Sequence, residues 1–359
     1  MTRRDLIAGA AMASALLADE AAGVVRLPKK IRLGMIGFDG HPGEILGQLK
    51  HLPDVELVAY AIDGSDPLSL ESNLKNAFVR QAKRYEEFAD MLEHETLDMA
   101  AINNNDGRRT KALLACAAKG IHAIAEKPLA LNRGDLEAVR RAYAKPNLRL
   151  GCLLPMRFSP PFLALKQILD SGEIGEVLQI TGQKSYNLGP RPEWQRHRET
   201  YGSTVLWIGP HLIDLMRFCS GRELVEVAGY QSRVAHPEIG DMEDVTGAVY
   251  RLDNGGVATM HMDYLRPDSA PGHGDDRLRL AGTKGVAEYM ESLGVVVLSP
   301  DKKPYNVSPL PPAGSVFIDF VESVYLGKQA MLPIRDIYRV NEITLATHEA
   351  AREHRFLKT

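Results

Sequence analysis

Four places in the chain carry side chains whose types and spacing can do chemistry. The first is "MIGFDGHPG", residues 35–43, where an apolar run gives way to Gly37, Phe38, Asp39, Gly40 and Gly43. Glycines between a strand and a helix let backbone N–H groups approach a pyrophosphate. The spacing here is shifted: Asp39 and Pro42 stand where a G-x-G-x-x-G loop has its second and third glycines. A carboxylate ~4 Å from a phosphate costs roughly 1 kcal/mol in water and about 4 at an effective dielectric near 20. Asp39 is therefore expected to point outward, or to weaken cofactor binding. Asp63 ends the second apolar run, 20 residues after Gly43. An acid at that place grips ribose hydroxyls and repels a 2′-phosphate, which favours NAD over NADP. A strand–turn–helix without nucleotide is the competing reading.

The second place is Glu126-Lys127-Pro128, at the end of the fourth apolar run, "IHAIAE". Ligands of open α/β sheets bind at strand C-termini. Alcohol oxidation needs a group to take the hydroxyl proton while hydride leaves carbon. A lysine in a closed, partly apolar cleft has a lowered pKa and can do this; the alternative is a surface lysine in a salt bridge. The third place is "LWIGPHLID", where Gly209-Pro210-His211 reads as a helix start with Asp214 on the same face. No third ligand joins His211 and Asp214, so no metal site is assigned. Trp207, one turn earlier, cannot accept a proton but offers a flat apolar face to a sugar ring, unless it is a core aromatic. A glycine-rich loop further on holds His273, Asp275, Asp276 and Arg277, which either bind substrate hydroxyls or lie solvated.

The elements that must position these groups follow from periodicity. Over 30–150, strands "IRLGMIGF", "VELVAYAID", "LDMAAI" and "IHAIAE" alternate with helical stretches at 44–51, 70–94, "TKALLACAAKG" and "RGDLEAVRRAYA". That alternation predicts a parallel sheet covered on both faces, a Rossmann-type domain. Over 151–334 the rhythm changes to helices near 161–171 and 211–219 and seven strand-like runs, two joined by the hairpin signal "DNGG". This predicts an α+β domain with a large, mostly antiparallel open sheet; "SPDKKPYNVSPLPPAGS" reads as a Pro-rich loop. Residues 335–355 read as a last helix packing back on the body. The fold class is thus α/β, in two domains.

Composition narrows the partners. With a formal net charge of −3 the chain is not built for nucleic acid, and it has no apolar run of about 18 residues to span a membrane. Cys116, Cys152 and Cys219 are too dispersed for a disulfide frame or a zinc site. Residues 1–23 begin with Arg3-Arg4 and a mildly apolar, Ala-rich run. They read as a twin-arginine export leader, which implies a periplasmic protein; an ordinary N-terminal helix implies a cytoplasmic one.

Three separated segments in fixed order resemble the Gfo/Idh/MocA oxidoreductase family: "AEKPLALN", "RFSPPFLALKQILDSGEIGEVLQI" and "GSTVLWIGPHLIDLMRFCSG". The resemblance implies a catalytic Lys127 near the nicotinamide, with Glu126 contacting the cofactor or orienting the lysine. It places cofactor contacts in the loop of Asn103, Asn104 and Asn105, although "NNND" departs from the family's Thr-Pro-like turn. It makes His211 a substrate ligand or proton relay, Arg157 a pocket residue, and a homodimer or homotetramer the expected assembly. It also shows a departure, since many of these dehydrogenases carry aspartate where this chain has Trp207. The function implied is NAD(P)-dependent hydride transfer at a carbinol carbon of a sugar, polyol or derivative. NAD-dependent glycoside hydrolysis and non-catalytic carbohydrate binding are the alternatives.

Overall fold

The computed structural model describes residues 23–359; the paired arginines of the leader lie outside the described residues. Its first sheet has six strands: β1 (Ile31–Ile36), β2 (Val55–Ala61), β3 (Lys83–Tyr85), β4 (Met99–Ile102), β5 (His122–Ala125) and β6 (Leu150–Cys152). All are parallel, in the order β3-β2-β1-β4-β5-β6. Helices cover both faces, so β4 is buried along its whole length, which is why such strands read as unbroken apolar runs. The strand order reverses between β1 and β4. The loops leaving these two strands and β5 therefore meet at one crevice, the usual ligand site of an open α/β sheet.

The helices of this half are α1 (Gly43–Leu46), α2 (Pro67–Leu74), α3 (Ala77–Gln81), α4 (Phe88–His94), α5 (Asp106–Ala118) and α6 (Arg133–Ala142). Two expectations change. The helix expected over 44–51 is only α1, followed by a 3₁₀ turn at Leu49–His51. The helical stretch expected over 70–94 is three short helices with β3 between the second and third. Asp66 caps α2 by accepting from the Leu68 and Ser69 amides, and Asn76 caps α3 by accepting from Phe78. Each cap starts a new helix, so the apolar residues at 70, 74, 78 and 79 do not share one face.

The second half supplies α7 (Pro160–Asp170), β7 (Val177–Asn187), α8 (Arg198–Tyr201), α9 (Thr204–Ser220), β8 (Leu224–Ser232), β9 (Val245–Leu252) and β10 (Val257–Arg266). There follow β11 (Gly274–Gly282), β12 (Val286–Met290), β13 (Gly294–Ser299), β14 (Lys302–Asn306), α10 (Val316–Tyr325), α11 (Ile334–Glu353) and β15 (Leu357–Lys358). The nine strands run β14-β13-β12-β11-β7-β10-β9-β8-β15. Only the central β7–β10 pair is parallel. The Pro-rich loop thus contains an edge strand, and α10 was not anticipated.

Helix α9 lies on the inner face of this sheet and is almost wholly buried. It does not begin at Gly209. Ser203 caps it, accepting from the Leu206 amide at 3.1 Å, and Pro210 sits inside it. The close seat on β7 requires Gly182, where a Cβ would stand 2.8 Å from the Leu212 side chain. The early start puts Trp207 and His211 one turn apart on one helix, on the face toward the crevice. No helix among the described residues is long and apolar enough to cross a membrane.

Candidate active site

The glycine turn is shaped by close backbone approach. Gly37 and Gly40 have φ of 75° and 74°. A Cβ on Gly37 would lie 2.6 Å from the Asn104 backbone, and one on Gly40 would lie 2.5 Å from a Glu126 carboxylate oxygen. Neither position admits a larger residue. Phe38 does not face the crevice: its ring packs edge-on against Tyr60 and its N–H is donated to Ser65. Asp39 does not point outward either. Its carboxyl is 2% exposed, accepts from the Asp66 amide at 3.1 Å, and leaves Oδ2 without a hydrogen-bond partner. Burial raises its pKa to about 7, against the lowering effect of the Asp66 amide and Arg109. The acid in the glycine turn is therefore held toward its protonated form by burial.

Asp63 is buried at the end of β2 with a positive φ of 49°, uncommon for an aspartate. One oxygen accepts from Asn104 Nδ2 at 2.6 Å, the other from Arg108 at 2.6 and 3.1 Å. Asn105 caps α5, its side-chain oxygen accepting from the Arg108 amide at 3.2 Å. Both amide atoms of Asn103, and Oδ1 of Asn104, are buried without partners. Buried polar atoms without protein partners beside this turn are open to a polar ligand or to ordered water.

Glu126 and Lys127 leave β5 into the same crevice. Glu126 is fully buried. Its Oε1 lies 2.7 Å from His41 Nδ1 and also accepts from the His41 amide, while Oε2 accepts from the Lys127 amide. Burial alone would raise this carboxyl, but His41, Lys127 and Arg109 outweigh it and hold its pKa at about 2. Lys127 Nζ donates to the Trp207 carbonyl at 2.6 Å and sits 3.4 Å over the indole centroid. Burial lowers its pKa to about 8, with Glu126 and Asp106 opposing. Behind them Arg109 pairs with Asp106 at 2.6 Å and donates to the Asn104 and Pro128 carbonyls, lacing the two loops together.

His211 reaches the crevice from α9. It is 7% exposed, its Nδ1 has no partner, and its ring meets His41 edge-on at 5.2 Å. Burial, then its neighbours Lys127, His41 and Lys184, push its pKa well below the ordinary histidine value. Asp214 does not support it. That carboxylate pairs with Arg157, Nε to Oδ2 at 3.1 Å, and Arg157 also binds Asp336 at 3.1 Å. Arg157 and Asp214, expected as a pocket residue and a catalytic partner, are thus set against each other and do not line the cleft. They form a buried pair that anchors α9 from below. Trp207 combines both of its readings, lining the crevice while packing on Trp194 and Tyr201.

The open cleft between the two sheets measures about 360 Å³. His273 lines it, stacked on Tyr186 at 5.0 Å, as does Asp276, whose Oδ2 accepts from Lys184 at 2.8 Å and whose Oδ1 is unpartnered. Arg277 is not in it. It pairs with Asp275 on the exposed side of β11. Sequence reasoning missed His41, Tyr186, Arg191, Tyr264 and Glu291, which complete the wall. A larger cavity of about 620 Å³ runs along edge strand β6 between Tyr143, Phe320 and Tyr338, but no histidine converges on it. Among the described residues no cluster of three or more His, Cys, Asp or Glu side chains is placed to hold a metal ion.

Residues 31–152 match the oxidoreductase family with an NAD-binding Rossmann fold, and residues 162–288 match the GFO/IDH/MocA C-terminal domain. Myo-inositol 2-dehydrogenase of Thermotoga maritima is 28% identical over 258 residues, 71% of this chain and 74% of that one. A solved Thermotoga maritima structure, named as a candidate oxidoreductase, superposes with a TM-score of 0.86 at 31% identity, covering 92% of this chain and all of that one. Levoglucosan dehydrogenase in complex with NADH shares the fold, with a TM-score of 0.78 at 18% identity over 92% of this chain and 99% of that one.

Proposed function

Because the chain belongs to the GFO/IDH/MocA oxidoreductase family, we propose that it transfers hydride between a nicotinamide dinucleotide, NAD rather than NADP, and a carbinol carbon of a sugar, polyol or derivative. The observation that carries this reading is the convergence of Lys127 and His211 from two domains on one cleft beside the glycine turn. Gly37 and Gly40 would receive the pyrophosphate, Asp63 the ribose, and the unpartnered amides of Asn103 and Asn104 the nicotinamide half. The dinucleotide supplies a two-electron acceptor; everything else falls to the chain. A buried amine with a pKa of about 8 either takes the hydroxyl proton or stabilises the charge that develops on that oxygen. His273, Tyr186, Arg191 and Asp276 offer donors, acceptors and a flat ring to hydroxyl groups on the opposite wall. The myo-inositol dehydrogenase relative supports a polyol or sugar as substrate.

Non-catalytic carbohydrate binding is a second reading, favoured by one observation: Trp207 clasps the Lys127 ammonium through its carbonyl and its ring. The two are separated by measuring thermal shift with NAD and NADP, analysing an acid extract for bound nicotinamide, and screening myo-inositol, levoglucosan and aldoses for change in nicotinamide absorbance. Stabilisation by NAD and turnover of a panel member, lost about 10²–10⁴-fold in Lys127→Ala, are expected. No response to millimolar NAD would refute the redox reading.

A further inference from the structure

We propose that His41, held by Glu126, is the catalytic residue that takes the substrate's hydroxyl proton, while Lys127 acts as a fixed cation; this rests on the redox reading above. His41 lies in the glycine turn, at a place where such loops need only backbone. Its Nδ1 faces Glu126 Oε1 at 2.7 Å, and its side chain is 36% exposed, into the cleft. With an anionic carboxylate on one side, Nδ1 carries the proton and Nε2 is left as an acceptor. A carboxylate behind an imidazole fixes its tautomer and stabilises the imidazolium once formed, as in acid–histidine pairs generally.

The other groups in the cleft serve less well as the acceptor. Trp207 has no acceptor on its side chain. Lys127 Nζ already donates to a carbonyl and lies over an indole face, two contacts that favour its charged form. His211 is buried, has no carboxylate partner, and faces Lys127, His41 and Lys184. Around His41 the titratable neighbours are Glu126 after β5, Glu44 on α1, and Lys127 and His211 across the cleft. Glu44 donates its amide to the His41 carbonyl, and Glu126 is the group that meets the ring nitrogen. The balance is simple. The O–H bond breaks and its proton goes to Nε2 of His41. The C–H bond of the same carbon breaks and its electron pair leaves as hydride to oxidised NAD. The oxygen's electron pair forms the C=O bond, so one alcohol is oxidised and one dinucleotide reduced. Lys127, still charged, meets the oxygen as it becomes anionic.

The test uses the full chain loaded with NAD. Imidazole ¹⁵N resonances are followed by NMR at a fixed pH, with His41 assigned by its absence in His41→Gln. The Nδ1–H tautomer is expected in the parent and is expected to be lost or mixed in Glu126→Gln, since Glu126 meets Nδ1. An Nε2–H tautomer in the parent, or a tautomer indifferent to Glu126→Gln, would overturn the assignment whatever the turnover. On any sugar the parent oxidises, His41→Gln should bind NAD as the parent does yet lose kcat about 10²-fold or more and its acidic pH limb. Unchanged kcat and pH profile would also overturn it. Failure of NAD to bind the parent would instead strike the redox reading itself.

Discussion

Replacing Asp39 by asparagine tests the electrostatics of the glycine turn without touching its shape. The carboxyl is buried, and burial raises its pKa from 3.8 to about 7. Between those two values the unfolded chain releases this proton and the folded chain keeps it. Stability is therefore fully present below about pH 4, falls as pH rises, and levels off above about 7. Each pH unit in that window is worth about 1.4 kcal/mol, so from pH 5 to pH 8 Asp39 withdraws roughly 2–3 kcal/mol. Asparagine retains the oxygen that accepts from the Asp66 amide and never ionises. Whatever fixed cost its amide carries at the unpartnered Oδ2 position is the same at both pH values. The gain of Asp39→Asn over the parent should thus be larger at pH 8 than at pH 5 by roughly 2–3 kcal/mol, read from urea unfolding. The same substitution should flatten the pH dependence of NAD affinity, since a phosphate beside Asp39 must otherwise draw a proton onto it. An equal gain at both pH values, with NAD affinity still falling above pH 7, would refute the account.

Other consequences are open to direct measurement. Arg157→Met should destabilise the fold by about 3–5 kcal/mol in denaturant, because it strands the Asp214 carboxylate in the interior; loss of sugar affinity with stability intact would restore Arg157 to the pocket. The outer face of the second sheet exposes Tyr230, Val249, Val257 and Leu265, and we propose that a second copy of the chain covers it. Val249→Lys with Val257→Lys should then shift light-scattering mass toward the monomer, whereas a parent that is already monomeric would dismiss the idea. Export through the paired arginines predicts that Arg3→Lys with Arg4→Lys leaves the protein in the cytoplasmic fraction; unaltered fractionation would exclude that route.

What the sequence made legible was local. The apolar runs of β1, β2, β4 and β5 announce themselves because strands covered on both faces tolerate few polar residues. The tripeptide at 126–128 could be placed at a strand end from its neighbours alone. Pairings across long separations were not legible. Arg157 and Asp214 each look like pocket residues until the fold sets them against one another, 57 positions apart. Pro210 suggests a helix start, since proline favours the first turn, and so hides the cap at Ser203 about two turns earlier. His41 is hard to see in the sequence for a different reason: the turn stands out by the glycines it lacks, which masks the side chain it carries. Its signal was present, a histidine in a loop whose neighbours are all small or fixed.

The contact between Lys127 and the Trp207 carbonyl joins the nucleotide half of the molecule to the half that walls the substrate. The ammonium has three N–H donors and spends one on that carbonyl. The same bond that ties the halves together thus fixes where the remaining donors point, so the seam aims the charge at whatever enters the cleft.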